Sequence, residues 1–234
     1  MSRISHASLC LTTGALAMFG LGCSSSHHGL STGEVLGGYK SLFDGETLDN
    51  WTSLDSSSTQ VITGDDASFS VQDGVMYCRG EGKDYWIREN NPYGDFVLRL
   101  EYKVGENTNS GIFLRVPPDR HPAFSGFEIQ VLEDHGKPPG KHSAGALYDV
   151  VAPSENASKP AGAWNEVEIR CEGPICVVVL NGKKILDVNF DDEMFHQPIG
   201  KFDFPYKDLP RKGYFGVQNH GGKIWYRNVR VKEL

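Results

Sequence analysis

The residues best suited to chemistry lie in a short segment, Phe127 to Asp134, in which polar and apolar side chains alternate. The two-residue period of a β-strand places Glu128 and Gln130 on one face and the apolar side chains between them on the other. A carboxylate and a carboxamide two positions apart on a strand are separated by about 7 Å, which suits the hydroxyl groups of a sugar. The pattern suggests a carbohydrate site, although a solvated strand face has the same alternation.

Two other segments show a similar alternation. In residues 111–116 the aliphatic side chains share one face, which leaves Arg115 on the other. In residues 214–220, Phe215 and Val217 occupy the core side while two polar residues point away. If the three strands are neighbours in one sheet, their polar side chains form a single surface that consists of Arg115, Glu128, Gln130, Gln218 and His220. The alternatives are that His220 is a turn residue and that Arg115 only pairs with Glu128 on an exposed face.

The elements that must position these residues are short strands separated by turns. Residues 96–104 alternate without interruption and predict a half-buried strand. The pair Asn181-Gly182 has the residue types of a type I′ hairpin turn, whereas residues 191–195 could form one short helix. Further strands are predicted at 68–71, 75–79, 167–171, 176–180 and 224–232. This arrangement favours an all-β protein, an antiparallel β-sandwich of two sheets.

Composition limits the possible partners of the chain. It has 234 residues, a net charge of −7 and 11% aromatic residues. The negative balance and the absence of a basic stripe argue against nucleic acid as a partner. Residues 39–234 are enough to bury one core and form one domain.

The amino terminus indicates export. Arg3 precedes an apolar run over residues 7–21 that is too short for a membrane span, so residues 1–22 are predicted to be a signal peptide. Gly20-Leu21-Gly22-Cys23 resembles the bacterial lipobox, which implies lipid attachment at Cys23 and a membrane partner; a soluble, cleaved protein is the alternative. Residues 23–38 are rich in Ser and Gly and predict a flexible tether. We therefore expect a protein anchored to the membrane and facing the periplasm or the cell surface.

Three cysteines remain after Cys10 and Cys23 are set aside. Cys171 and Cys176 flank a short hairpin-like loop and could form a disulfide across the two strand ends; two half-buried thiols are the alternative. Cys78 is interpreted as a small core residue.

Several blocks, in order along residues 40–234, resemble the 3-keto-disaccharide hydrolase domain family. The principal blocks are Leu42-Phe43-Asp44-Gly45, Asn109-Ser110-Gly111-Ile112-Phe113-Leu114-Arg115, Gly126-Phe127-Glu128-Ile129-Gln130, Gly145-Ala146-Leu147-Tyr148, Leu180-Asn181-Gly182, Gly216-Val217-Gln218-Asn219-His220-Gly221 and Arg227-Asn228-Val229. The resemblance implies a concanavalin A-like jelly roll. It also implies cleavage of a 3-keto-glycoside, either by elimination at C1 or by net hydrolysis, after a separate oxidoreductase has made the ketone.

The ketone determines which residue types this chemistry needs. A carbonyl at C3 acidifies the proton at C2, so a base can form an enolate that expels the oxygen at C1. His220 or Glu128 can be the base, and Arg115 and Gln130 can donate to the carbonyl oxygen. Asn109, Tyr148, Gln218 and Glu133 are the remaining candidates for substrate binding. No cofactor is certain, but Glu133 and Asp134 could bind a divalent metal such as calcium.

Two other functions fit the same residues. The fold serves noncatalytic carbohydrate-binding modules equally well. The segment Glu128 to Glu133 also resembles the catalytic strand of family-16 glycoside hydrolases, which would make the protein an ordinary endoglycosidase that uses Glu128 and Glu133. Gln130 replaces the central acid of that motif, which argues against double displacement.

Overall fold

The structure, a computed structural model, describes residues 29–234. That part of the chain contains one short α-helix, α1 (Thr32–Leu36), and thirteen strands. The strands are β1 (Lys40–Ser41), β2 (Trp51–Leu54), β3 (Phe69–Gln72), β4 (Val75–Cys78), β5 (Trp86–Glu89), β6 (Phe96–Val104), β7 (Asn109–Val116), β8 (Phe127–Leu132), β9 (Trp164–Glu172), β10 (Ile175–Leu180), β11 (Lys183–Asn189), β12 (Tyr214–Gln218) and β13 (Ile224–Glu233). Single 3₁₀ turns lie at Gly64–Asp66, Pro122–Phe124, Glu193–His196 and Tyr206–Asp208. Within residues 29–234, the helices are all too short or too polar to cross a bilayer.

The strands form two antiparallel sheets. The eight-stranded sheet has the order β11-β10-β9-β6-β13-β4-β3, with β1 also paired to β13. The five-stranded sheet has the order β2-β5-β12-β7-β8. This arrangement confirms the predicted jelly-roll β-sandwich. We call the sheet faces that meet in the core the inner faces and the two opposite faces the outer faces.

Alternation along the strands determines which side chains enter the core. Phe127, Ile129 and Val131 of β8 pack in the same buried cluster as Leu98 of β6 and Ile169 of β9. Successive side chains on a strand point to opposite faces, so Glu128 and Gln130 lie on the outer face of the five-stranded sheet. The predicted orientation of β8 is thus confirmed, and that of β12 is confirmed by Phe215 and Val217 in the same cluster.

The strongest local sequence signals correspond to observed elements. Strand β6 covers the nine residues that alternate in the sequence. Asn181 and Gly182 have φ values of 51° and 79°, as a type I′ turn requires, and Leu180 pairs with Lys183 across them. The helix predicted at residues 191–195 is a single 3₁₀ turn, Glu193–His196.

Arg115 does not lie where the alternation placed it. Gly216 pairs with Phe113 but Tyr214 pairs with Val116, so β7 has one extra residue at this point, a β-bulge, and Arg115 has φ 52°. The guanidinium is 1% exposed and donates to Gly94 O, Gly173 O at 2.7 Å and Asp95 Oδ1 at 3.1 Å. The predicted site role of Arg115 beside Glu128 is therefore wrong, because the bulge reverses the alternation after Leu114.

The same bulge corrects the placement of Val116. We expected Val116 to share the inner face with Ile112 and Leu114. Instead, it packs with Phe113 and Trp86 in a second, smaller apolar cluster. The outer face of the five-stranded sheet consequently has an apolar part beside its polar part.

The two cysteines of the predicted disulfide are neighbours but are not bonded. Cys171 and Cys176 are directly opposed in the β9–β10 pair, and both are buried free thiols. A hydrogen bond to Cys171, together with burial, raises the pKa of the Cys176 thiol well above its usual value. The two residues face each other across the strand ends as expected, and of the two alternatives the structure has the free thiols, fully rather than half buried. Cys78 is a buried core residue, as expected.

Within the stretch predicted to be a tether, residues 29–38 are described and contain helix α1. Ser31 and Glu34 form a reciprocal capping box at the start of α1. The Glu34 carboxylate also accepts from Arg230 Nε at 2.5 Å and lies 3.7 Å from Arg99 Nη1, which attaches α1 to the outer face of the eight-stranded sheet. The predicted signal peptide and Cys23 lie outside the described residues.

Candidate active site

An open cavity lies on the outer face of the five-stranded sheet, and its envelope, which includes space open to solvent, is about 410 Å³. Strands β7, β8 and β12 provide its floor, and the loops around residues 85, 121–124, 148 and 201 provide its walls. Its lining consists of Tyr85, Asn109, His121, Ala123, Phe124, Glu128, Gln130, Tyr148, Lys201, Gln218 and His220. Carboxamides, a carboxylate and aromatic rings in one cavity are groups that bind a polar ring such as a sugar.

Glu128 is the buried acid of this cavity. Its side chain is 5% exposed. Burial raises the pKa of the Glu128 carboxyl from 4.5 to about 7, and the positive charge of Lys201 opposes this rise. A carboxyl group with this pKa is close to half ionised at neutral pH, which suits a general base.

Gly111 makes the space that the Glu128 carboxyl occupies. It pairs with Gln130 across the β7–β8 ladder. A Cβ atom at position 111 would lie 2.1 Å from Glu128 Oε1 and 2.7 Å from Glu128 Cδ. Glycine is therefore needed at position 111 because the Glu128 side chain packs against its backbone, and not because the backbone has a positive φ.

We expect Gly111→Ala to displace the Glu128 carboxyl and to lower kcat by at least about tenfold, since a shift near 1 Å at a catalytic group can cost about 10²-fold. Overpacking should also lower the free energy of unfolding by about 1–3 kcal/mol. Steady-state kinetics and urea unfolding measure the two effects. Gly140→Ala is the control, because the nearest atom to its added Cβ is Ser143 Oγ at 3.8 Å. If Gly111→Ala keeps the wild-type kcat, the activity does not depend on the position of the Glu128 carboxyl that the structure shows.

Three carboxamides line the cavity together with the Glu128 carboxyl. The Gln130 amide satisfies most partners when its nitrogen faces Glu128, since it then donates to Ser110 O and Glu128 Oε1, each at 3.1 Å. Its other terminal atom lies 3.1 Å from the Asn109 side chain. Gln218 Nε2 donates to the Tyr85 hydroxyl at 2.8 Å. Burial is the main cause that raises the pKa of Tyr85 to about 12, so its hydroxyl remains a donor.

Lys201 provides the positive charge of the cavity. Its Nζ lies 4.3 Å from the centre of the Tyr148 ring, and its backbone N donates to Asp149 Oδ2 at 2.7 Å. Asp149 also contacts His142 Nε2 at 2.8 Å, and the His142 ring packs against Tyr148. Burial raises the pKa of Asp149, but hydrogen bonds from His142 and Lys201 outweigh it, so that the pKa is lowered. The ionised Asp149 therefore fastens the loops that carry Tyr148 and Lys201.

The loop after β12 carries His220 at the exposed edge of the cavity. The preceding residue, Asn219, is buried and donates to Ser68 Oγ at 2.7 Å and Asp84 O at 2.9 Å. Its backbone N donates to Tyr85 O at 2.8 Å. These bonds hold the Tyr85 and His220 segments together.

The cavity brings together most of the residues predicted from the sequence. Glu128, Gln130, Asn109, Tyr148, Gln218 and His220 all line it. Glu133 does not: it lies one residue beyond β8, and its backbone N donates to Thr108 O. Placing it at the substrate site was therefore wrong, because the position continues the inner-face side of the alternation.

A calcium site at Glu133 and Asp134 gains no support from the structure. Asp134 is buried, and its Oδ2 accepts from Ala144 N at 3.2 Å. Among the described residues, no three His, Cys, Asp or Glu side chains are grouped so as to hold a metal ion.

Burial of Glu128 predicts a pH-dependent cost in stability. With a pKa near 7 in the folded protein and near 4.5 when unfolded, the folded state holds the proton more tightly. The free energy of unfolding should therefore decrease by about 3 kcal/mol as pH rises from 4.5 to above 7. Glu128→Gln cannot ionise at this position and should not show this decrease. The free energy of unfolding of Glu128→Gln minus that of the wild type should therefore increase by about 3 kcal/mol between pH 4 and a pH above 7. Urea unfolding tests this, with Glu133→Gln as the control; a difference independent of pH would contradict it.

The fold and cavity define a jelly-roll protein with an open polar cavity on the outer face of one sheet. Residues 38–232 match the family described as the 3-keto-alpha-glucoside-1,2-lyase-like domain. The chain belongs to this family, which confirms the resemblance found in its sequence blocks.

Comparison with individual proteins agrees with this membership. The chain is 26% identical to a 3-keto-disaccharide hydrolase from Bacteroides thetaiotaomicron, over 84% of this chain and 79% of the relative. It is 28% identical to a candidate glycosyl hydrolase of known structure from Parabacteroides distasonis, with a TM-score of 0.70 over 84% of this chain and 99% of that one. A second structure from that organism, at 24% identity, has a TM-score of 0.76 over 88% and 99% of the two chains and supports the fold.

Proposed function

We propose that this protein cleaves 3-keto-glycosides at the C1–oxygen bond, with Glu128 as the base that removes the proton at C2. The observation that carries the proposal is the buried Glu128 carboxyl, whose pKa is raised to about 7 within a cavity lined by carboxamides and aromatic rings. The family and the relatives named above support glycoside cleavage as the broader activity.

The reaction proceeds in two steps, formation of an enolate and loss of the group at C1. Glu128 takes the C2 proton, and the electron pair of the C2–H bond moves to form an enolate on the C3 oxygen. The enolate then collapses, C1–C2 becomes a double bond, the ketone returns, and the C1–oxygen bond breaks with its electron pair on the leaving group. A proton from His220 or water completes the leaving group. Addition of water across C1–C2 gives the product of net hydrolysis.

Lys201 takes the role that we first expected of Arg115. Its ammonium group acts electrostatically on both Glu128 and His121, which places positive charge within the cavity. Positive charge beside the C3 oxygen stabilises the developing enolate, commonly the largest contribution to catalysis. It also keeps the pKa of Glu128 from rising further.

An ordinary retaining glycosidase is less well supported. Such an enzyme needs two carboxyl groups about 5–5.5 Å apart. Among the described residues that line the cavity, Glu128 is the single carboxylate, and Glu133 is outside it. In a noncatalytic binding module, the buried Glu128 carboxyl would lower the free energy of unfolding at neutral pH without serving any reaction. This alternative is therefore also less well supported.

Product analysis distinguishes the three functions. We expect turnover of a 3-keto-glucoside and none of the unoxidised glucoside. Turnover of only the unoxidised glucoside would establish an ordinary glycosidase, and binding without turnover of either would establish a carbohydrate-binding module. Recovery of a C1–C2 unsaturated keto sugar would identify elimination as the first step.

We also propose that the protein is exported, anchored through lipid at Cys23, and supplied with substrate by a separate enzyme that oxidises sugars at C3. The support is the apolar run that ends at Gly22-Cys23. We expect Cys23→Ser to move the protein from the detergent phase to the aqueous phase. Unchanged partitioning would refute the anchor.

A further inference from the structure

His121 forms part of the cavity wall and makes four contacts with its surroundings. It precedes the 3₁₀ turn Pro122–Phe124, and its Nδ1 accepts from Ala123 N at 3.2 Å, as an N-cap side chain does. Its ring lies between two aromatic rings, 5.0 Å from that of Tyr85 and 4.8 Å from that of Phe124. The Ser125 hydroxyl donates to His121 O at 2.8 Å. The cap bond and the two ring contacts therefore hold the imidazole, and the Ser125 bond holds its backbone, before any substrate binds.

The cap bond also fixes the tautomer of the ring. A neutral imidazole has one N–H donor and one bare nitrogen acceptor. Since Nδ1 accepts from Ala123, the proton must be on Nε2. Burial, together with the nearby positive charge of Lys201, lowers the pKa of His121 below 6.5, so that the neutral form dominates at pH 7.

We propose that His121 is a catalytic hydrogen-bond donor whose Nε2–H, together with the Lys201 ammonium, contacts the C3 oxygen of the sugar as it becomes an enolate. This inference rests on the proposed function. A fixed donor that is already oriented needs no reorganisation as charge develops. The neutral ring donates a hydrogen bond without transferring its proton, so the two proposed steps remain as written above.

Two substitutions separate this role from that of the cap. His121→Asn keeps an acceptor near the position of Nδ1, and Asn is a favourable N-cap residue, but it removes the Nε2–H. His121→Gln reaches the position of Nε2 with a side-chain N–H but lacks the Nδ1 acceptor. Each variant therefore retains one function of histidine and loses the other.

We expect His121→Asn to lose about 10²-fold or more in kcat on a 3-keto-glucoside, with little change in KM and near wild-type stability. His121→Gln should keep more activity than His121→Asn although its cap is weaker and its thermal unfolding temperature lower. The opposite order of kcat, or equal losses in the two variants, would overturn the proposal and leave His121 a structural cap. A wild-type protein inactive on the 3-keto-glucoside would instead refute the proposed function.

The tautomer can be measured without activity. In ¹⁵N NMR of the ligand-free protein at pH 7, we expect the His121 ring to show a protonated Nε2 and an unprotonated Nδ1. Observation of the Nδ1–H tautomer would overturn the donor role, because Nε2 would then carry no proton, and an imidazolium would overturn the cap bond that makes the ring a neutral donor.

Discussion

Glu128→Gln is expected to reduce kcat on a 3-keto-glucoside by about 10²–10⁴-fold, the usual contribution of a positioned base. Gln has the shape of the acid but cannot accept the C2 proton, and the hydrophobic packing below it does not change. KM should change less than kcat, because the neighbouring carboxamides still contact the sugar. Kinetics at several pH values should also show the wild-type rate increasing with pH through a midpoint near 7, where Glu128 becomes ionised.

Two controls connect this loss to proton transfer. Glu133→Gln makes the same change in a carboxylate outside the cavity and should keep wild-type kcat. A substrate with deuterium at C2 should give a primary isotope effect in the wild type. A folded Glu128→Gln protein with wild-type kcat would show that another group removes the proton, and His220 would then be the first to test.

Lys201→Met is expected to have the second-largest effect, a loss of about 10²–10³-fold in kcat. Methionine keeps the length of the side chain but removes the charge that we propose stabilises the enolate oxygen. The charge of Lys201 lowers the pKa of Glu128, so the substitution should also move the midpoint of the pH–rate profile to higher pH. Activity should then recover in part as pH rises, which a purely structural defect would not produce.

Lys207→Met is the matched control for this charge. Lys207 belongs to the nearby 3₁₀ turn and lies 3.8 Å from Asp208 on the surface, outside the cavity lining. It should change neither kcat nor the midpoint. If Lys201→Met keeps both values of the wild type, the ammonium group has no electrostatic role in the reaction.

Alternation predicted the β8 and β12 parts of the site because both strands are regular where their polar residues lie. Glu128, Gln130 and Gln218 consequently point as the two-residue period requires. The two-residue period gave the wrong face for Arg115, because a β-bulge adds one residue to β7 at this point and Arg115 itself has a positive φ. Non-glycine residues with positive φ are uncommon, and nothing in residues 111–116 marks the change.

The loop residues of the site could not be predicted by the same means. His121 and Lys201 are far apart in the chain and lie outside the strands, so no periodicity relates them to Glu128. Two local signals were available in retrospect: Pro122 directly after His121 suits the start of a short helix, and Gly200 permits the φ of 63° that precedes Lys201. Neither signal indicates which cavity the side chain enters, because that depends on how the loops pack.

The attachment of α1 by Glu34 determines from which side the chain enters the domain. Gly29, the first described residue, lies beside Asn228, whose side chain donates to Glu101 on the outer face of the eight-stranded sheet. The cavity opens on the opposite side of the sandwich. The lipid anchor that we propose at Cys23 would therefore be joined to the domain on the side opposite the cavity, so that the point of attachment would not cover the site. Glycosides with large aglycones could then approach the site without passing between the protein and its support.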